Sequence, residues 1–419
     1  MVASSKTNVT DARSTHHNVI EFPVIDDCLQ VGGVALTRLA ERVGRTPFYA
    51  YDRGLVAKRI ALLRRHLPPD LHLHYAIKAN PMPALVQFIV PLVDGLDVAS
   101  AGELKVALDA GVAPTSVSFA GPGKRTEELA AAIAAGIVIN MESENEMARV
   151  AQLAATRGVR PRVAVRVNPD FELKTSGMKM GGGPKQFGVD AERVPAMLKT
   201  LGALPLEFVG FHIFSGSQNL SAAAIQEAQT KTFDLAYSLA VHAPAPVRLL
   251  NIGGGFGVPH FPGERPLDLA AIGAHLQSLL PRARERLPHA EFVVELGRFL
   301  VQEAGIYVCR VIDRKVSRGQ VFLVTDGGLH HHLSASGNFG QVLRKNYPVL
   351  VGNKVVGKTR ETASVVGPLC TPLDLLADRM DLAQADVGDL IVVLQSGAYG
   401  LTASPAAFLS HPTPAEVLV

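Results

Sequence analysis

The 419-residue sequence has only three cysteines, Cys28, Cys309 and Cys370, odd in number and far apart. That argues against a disulfide framework and for a reducing, cytoplasmic setting. A long apolar run is also missing. The strongest, residues 129–139 (LAAAIAAGIVI), stops well short of the roughly 18–20 residues that a spanning helix needs, so no membrane partner is expected. Charge of one sign is scarce too. Lys and Arg number 41 against 38 Asp and Glu, a formal net charge of +3, and no Lys/Arg block is dense enough for a nucleic-acid footprint. The polar N-terminus, MVASSKTNVTDARSTHHN, has no apolar centre of the signal-peptide kind. Residues 1–19 therefore read as a frayed tail on a non-exported protein. What is present is a globular composition, 47% apolar and 19% charged, with length for one large domain plus a smaller one.

From residue 45 to 300, short β-branched runs alternate with stretches of helical spacing. Eight runs can be counted: 72–78 (HLHYAIK), 95–100 (GLDVAS), 117–121 (VSFAG), 137–142 (IVINME), 162–168 (RVAVRVN), 208–215 (FVGFHIFS), 248–253 (RLLNIG) and 291–297 (EFVVELG). Between them, Ser100 with Glu103 and Ser143 with Glu146 have the capping-box spacing, and Gly111, Gly136 and Gly158 sit where helix C-caps belong. Eight strand–helix units over 45–300 match a closed parallel (β/α)8 TIM barrel, usually about 250 residues, ahead of an open doubly wound sheet. After residue 304 the rhythm changes. GIYVCRVIDRKVSRGQVFLVTDG alternates with period two around a Ser317-Arg318-Gly319 turn, and VGDLIVVLQSGAYG repeats the style. Residues 301–419 are thus a C-terminal β-rich domain, with 20–44 expected to pack against it. The glycine-rich stretch 179–188 (KMGGGPKQFG) reads as a long mobile loop.

In such a barrel, active groups sit at the C-terminal strand ends, and unusual polar residues fall there. Lys78 ends the first run, Asp97 lies in the second, Asn168 ends the fifth, Gly253, Gly254 and Gly255 follow the seventh, and Glu295 with Gly297 and Arg298 closes the eighth. A lysine after Tyr75-Ala76-Ile77 is expected to be desolvated, its ammonium pKa lowered and its amine able to form a Schiff base. The alternative is a snorkelling or ion-paired lysine. The triple glycine can bring backbone N–H groups to an anion or simply make a tight turn. Glu295 inside the mouth is a costly charge unless it meets a cation, which a protonated pyridine nitrogen provides. Lysine, anion donors and carboxylate together suggest pyridoxal phosphate. His330, His331 and His332 invite a metal reading. On a strand, however, consecutive residues point to alternate faces, so a structural or substrate-lining role is favoured and no metal is expected.

HYAIKANP, GLDVASAGEL, NIGGGFG, ELGR, GPLCTPLD and SGAYG, spread over nearly the whole chain, resemble the barrel-type pyridoxal-phosphate decarboxylases, the alanine racemase-like group that contains diaminopimelate and ornithine decarboxylases. GPLCTPLD, DGGLHHH, GGGFGVPHF and FLSHPTPAEVL resemble the secondary-metabolism members of that group, notably the butirosin-pathway type that acts on glutamyl groups carried by an acyl carrier protein. The resemblance implies that Lys78 holds the cofactor as a Schiff base, that Glu295 pairs with the pyridinium nitrogen, and that Gly253, Gly254, Gly255, Gly297, Arg298 and Tyr399 hold the phosphate. Asp97, Arg166, Asn168, His212 and Ser217 would line the pocket. Family members place a histidine ring over the cofactor just before an x-Gly-Ser step. Here that position is Phe214, which is expected to supply the stacking face, and His212 is as readily a satisfied core histidine as a catalytic one. Cys370 is implied to reach the partner's site in a homodimer, where a protonated thiol can return a proton to a carbanion. Arg298, Thr371 and Tyr399 would meet substrate beside it.

The resemblance also bears on the substrate. In the diaminopimelate and ornithine enzymes an acidic residue follows the cysteine and can meet a distal ammonium; here Thr371 and Pro372 follow. The expected substrate is an L-amino acid or carrier-bound aminoacyl group whose far end is neutral or held as an ester, amide or thioester, unless Asp374 turns into the site. Diaminopimelate decarboxylation is the alternative. A related barrel racemase, a phosphosugar lyase with a Schiff-base lysine and a non-catalytic regulatory homologue are further rivals, the last expected to have lost Lys78 or Cys370.

Overall fold

Buried strands alternating with capped helices close into a ring of eight parallel strands in a computed structural model that describes residues 21–175, 177–339, 341 and 344–419. The frayed tail expected at 1–19 lies outside the described residues. The ring runs Leu71–Ala76, Gly95–Val98, Val117–Phe119, Val138–Met141, Arg162–Asn168, Glu207–Ile213, Leu249–Gly254 and Glu291–Leu296, and the eighth strand pairs in parallel with the first. Closure decides for the barrel over the open sheet. Each strand overlaps one of the eight sequence runs, because strands covered on both faces read as near-continuous apolar stretches.

Local chemistry sets the helix ends. Ser100 Oγ accepts the Glu103 N–H at 3.1 Å and Ser143 Oγ accepts the Glu146 N–H at 3.0 Å. The two glutamates reach back to the N–H groups of Ala99 and Glu142, one residue earlier than in an ordinary capping box. Gly136 and Gly158 cap the helices Thr126–Ala135 and Glu144–Arg157 with left-handed backbone.

The second sheet is organised by the 13-residue strand Gly305–Ser317. Its far half forms a hairpin with Gln320–Thr325 across Arg318 and Gly319, both at positive φ as a two-residue turn demands. Its near half pairs with Leu390–Val393 and with Phe48–Tyr51, which in turn pairs with Ala415–Leu418. Phe48–Tyr51 falls within the stretch 45–300 assigned to the barrel but belongs to this sheet. A short, fully buried FYAY run carries no mark of which sheet it joins. The segment from Phe22 to Leu36 packs on the β domain, with the Leu29 N–H bonded to the Gly352 carbonyl at 2.8 Å. The glycine-rich stretch is pinned along its length. Met178–Lys179 pairs with Gly216–Ser217, Asn168 Nδ2 bonds the Gly183 carbonyl at 3.0 Å, and the Gly188 N–H reaches Glu142 at 3.1 Å.

His330, His331 and His332 lie in turns after Gln320–Thr325, not on a strand, and are buried. His331 Nε2 meets the Pro412 carbonyl at 3.0 Å and His332 Nε2 meets Ser396 Oγ at 2.9 Å, while neither ring nitrogen of His330 has a hydrogen-bond partner among the described residues. Among those residues no group is arranged to hold a metal ion. Burial pushes His330 and His332 down to about 3 and His331 to about 4. In the unfolded chain the same rings take up protons near pH 6.5, so between about pH 6.5 and 4 the unfolded state binds more protons and acid destabilises the fold. The thermal midpoint, followed by circular dichroism, is expected to fall as pH drops through that window. His330→Leu is expected to flatten part of the fall; an unchanged acid profile would refute its contribution.

Candidate active site

Strand register gathers polar side chains at the barrel's C-terminal mouth. Arg166, His212 and Asn251 stand side by side on the fifth, sixth and seventh strands, Glu295 stands beside His74 on the eighth and first, and Asp97 beside Ser118 on the second and third. Lys78 projects from the 3-10 turn Ile77–Ala79 just past the first strand, not from its last residue. Tyr75 Oη bonds the Asn80 carbonyl and Asn80 Nδ2 bonds the Gly397 carbonyl, both at 2.9 Å, which fixes the turn.

Lys78 Nζ lies 3.7 Å from Glu295 Oε1 and 5.8 Å from the centre of the Phe214 ring. Burial works against the ammonium, as expected from the sequence, but the Glu295 carboxylate, followed by Tyr399, outweighs it and raises the amine's pKa. The expected fall is therefore overturned. Since 45% of the lysine side chain is accessible at the mouth, water tempers both effects, and the nearby carboxylate sets the direction. Glu295 is itself buried, which alone would favour its protonated form. Lys78 and then His212, whose Nε2 lies 3.1 Å from Oε2, bring it well below the ordinary carboxylate range. His212 thus stands buried beside Glu295 at the mouth.

Asp97 accepts a short hydrogen bond from Ser118 Oγ, which takes one from Asn140 Nδ2 at 3.0 Å. Arg166 is paired with Glu142 at 2.7 Å, with its guanidinium 5.0 Å from the Phe187 ring centre. Buried Lys124 bonds Glu146 and the carbonyls of Gly121 and Asn140. Asn168 spends its amide N–H groups on Gly183 and Asp190. A Cβ at Gly253 would meet the Phe214 ring, one at Gly254 the Glu295 carbonyl and one at Gly255 the Gly216 carbonyl, so the triple glycine is required for packing. The Gly253 N–H is already bonded to Asn251 Oδ1 at 2.8 Å, so that glycine is committed within its own turn. Arg298, just after Gly297, lies 4.6 Å from the Tyr399 ring centre, and the Tyr399 N–H bonds the Ala79 carbonyl at 2.8 Å beside Lys78. Cys370 and Thr371 lie apart, in the loop between Arg360–Val366 and Leu375–Ala383, with Cys370 exposed. The sequence reading did not single out His74, Asn251, Glu142, Lys124, His260 or Gln302. Only a polar residue interrupting an apolar run could have flagged the first three.

These residues suit pyridoxal phosphate on physical grounds. A buried anion stands beside a lysine amine, an aromatic face sits between the amine and the glycine turn, and His212 Nδ1, Ser217 Oγ and Asn168 Oδ1 are buried polar atoms with no partner among the described residues. Residues 53–302 match the pyridoxal-binding domain of the pyridoxal-dependent decarboxylases. The chain belongs to this family. It is a pyridoxal-phosphate-dependent carboxy-lyase. An L-glutamyl-[BtrI acyl-carrier protein] decarboxylase from Niallia circulans is 38% identical over 91% of this chain and 90% of its own. A diaminopimelate decarboxylase from Aquifex aeolicus is 32% identical over 94% and 91%. A double variant of SrLDC solved in complex with PLP is similar at 26% identity, TM-score 0.78, covering 92% of this chain and 94% of its own.

Replacing Glu295 with Gln removes the charge that most supports the Lys78 ammonium. In this decarboxylase the variant is expected to lose turnover on the order of 100-fold. In cofactor-free protein, reaction of Lys78 with an amine reagent should move to lower pH; an unshifted profile would show that Glu295 does not set the amine's charge.

Proposed function

We propose that this decarboxylase removes the α-carboxylate of a glutamyl-type aminoacyl group held on an acyl carrier protein, working as a cytoplasmic homodimer in secondary metabolism. The observation that carries the substrate class is the fate of Asp374. Thr371 and Pro372 follow Cys370, and Asp374, the next acid, is buried with Oδ1 accepting the Leu329 N–H at 2.6 Å and Oδ2 the Leu369 N–H at 2.8 Å. Gly328 and Gly367 press on the same carboxylate so closely that a Cβ at either would collide with it. Asp374 is committed to its own fold and offers nothing to a distal ammonium. The similarity to the glutamyl-carrier enzyme supports the same choice over free diaminopimelate.

When bound, pyridoxal phosphate supplies the electron sink that accepts the pair left by departing carbon dioxide. Lys78 offers the amine that would hold it, Phe214 its apolar face, and Gly254, Gly255 and Ser217 donors for its phosphate. Glu295, kept anionic by Lys78 and His212, would hold a proton on the ring nitrogen. Arg298 and Tyr399 present a cation and a hydroxyl to the substrate's oxyanion end. Cys370, exposed on its own protomer, would donate from its thiol in the partner's barrel the proton that replaces the lost carboxylate.

Carbon dioxide release from a glutamyl carrier protein, assayed beside free diaminopimelate, ornithine and lysine, tests the substrate, and efficient turnover of free diaminopimelate would overturn it. Lys78→Ala is expected to abolish both turnover and the visible absorbance of the lysine-bound cofactor. Shared sites predict that co-expressed Lys78→Ala and Cys370→Ala chains regain activity that neither variant has alone; no regain would remove Cys370 from the partner's site.

A further inference from the structure

Among the described residues, Arg298 makes no ion pair. Its contacts among the described residues are neutral: the Gln302 oxygen at 3.0 Å from Nη1, the face of Tyr399 and the side chain of Tyr347. Behind it runs a chain of buried hydrogen bonds. Gln302 is fully buried, and its Nε2 is closely bonded to His260 Nε2. His260 Nδ1 lies 2.8 Å from the Val258 carbonyl, in the loop that follows the triple glycine.

Of the two neutral tautomers, the one protonated at Nδ1 satisfies this chain at both ends. A bare Nδ1 would set two lone pairs against each other at Val258, so Nδ1 carries the proton and donates it to that carbonyl. Gln218 Nε2 donates to the same carbonyl at 2.6 Å, and its 3.0 Å separation from Nδ1 follows from the shared acceptor. His260 Nε2 is then bare and accepts from the Gln302 NH2. That orients the amide with Oε1 toward Arg298, where an acceptor is needed. A proton on Nε2 would set N–H against N–H, turn the amide over and leave the guanidinium facing another donor. Burial and the nearby Arg298, acting against the bond to Val258, push His260 down to about 3 and keep the ring neutral.

We propose that His260 and Gln302 are positioning residues for Arg298, fixing the direction in which its guanidinium meets an oxyanion of the bound substrate or of the cofactor phosphate. This rests on the role given to Arg298 in the proposed function. The relay ties the loop after the seventh strand to the short helix Arg298–Val301 after the eighth.

The test uses His260→Phe, Gln302→Leu and their combination in the full-length enzyme, with His260→Gln as the variant that keeps an acceptor. Each single change is expected to cost about tenfold or more in affinity, as loss of a hydrogen bond to a charged group does. The loss is read as a raised KM if the oxyanion is the substrate's, or as weaker retention of pyridoxal phosphate in an absorbance titration if it is the phosphate. The double variant should be no worse than either single one, because the groups act in series, and His260→Gln should regain most of the loss. Nitrogen NMR of the cofactor-free protein should show the Nδ1–H tautomer at His260, giving way to a mixture in Gln302→Leu. Unchanged affinities, additive losses or an Nε2–H tautomer in the unaltered protein would overturn the relay. The NMR and the cofactor titration need no turnover, so they stand even if the substrate assignment fails.

Discussion

A carboxylate buried among β-strands must be neutralised, and the mouth of this barrel is built around that requirement at Glu295. The fold keeps Glu295 ionised because Lys78, from the turn after the neighbouring first strand, and His212, on the sixth strand, both face it. The three groups come from the first, sixth and eighth strands or the turn after them. Their approach depends on ring closure between the eighth strand and the first, which places Glu295 in register with His74 two residues ahead of Ala76. An open sheet would leave the carboxylate at an edge with no lysine across from it. Closure of the barrel and the charge state of the site are thus one structural fact.

The β domain is part of the mouth within a single chain. Asn80 bonds the Gly397 carbonyl, and the Tyr399 N–H bonds the Ala79 carbonyl, so the turn carrying Lys78 is held from both sides. The crossing is tight. A Cβ at Gly397 would lie 1.8 Å from the Val301 carbonyl, and one at Gly305 would strike Gly397, which explains glycine at both positions. Because Tyr399 covers Arg298 while its backbone grips the lysine turn, a shift of the β domain against the barrel disturbs the amine and the cation together.

All eight barrel strands are legible in the sequence because each is a short, largely apolar run between stretches of helical spacing, and the Arg318-Gly319 hairpin because its two turn residues take positive φ. Phe48–Tyr51 is not legible, since four buried residues name no partner strand; its neighbours are more than 250 positions away in Gly305–Ser317 and Ala415–Leu418. The site divides the same way. Lys78, Glu295 and the glycines stand out because each is improbable where it sits. The direction of the Lys78 shift does not, because it depends on how closely a residue more than 200 positions along the chain approaches, and that contest between burial and a carboxylate is settled only by distance. The Lys124–Glu146 and His260–Gln302 pairs are hidden for a related reason: each partner alone is an ordinary polar residue.

The arrangement also separates reaction type from substrate choice. The amine, the buried carboxylate and the aromatic face all come from barrel strands or the turns at their ends, where register fixes them. The loop that carries Cys370 and Thr371 belongs to the β domain, between two antiparallel strands, and is braced from inside by Asp374. If, as proposed, this loop meets the far end of a substrate in the partner, it can exchange residues there without moving Lys78 or Glu295. It cannot exchange Asp374 in the same way, because that carboxylate satisfies two buried N–H groups, from Leu329 and Leu369, that would otherwise be left without partners. An acid in this loop is therefore not by itself a sign of an amine-ended substrate. What matters is whether its oxygens face the mouth or its own backbone, and here both face backbone.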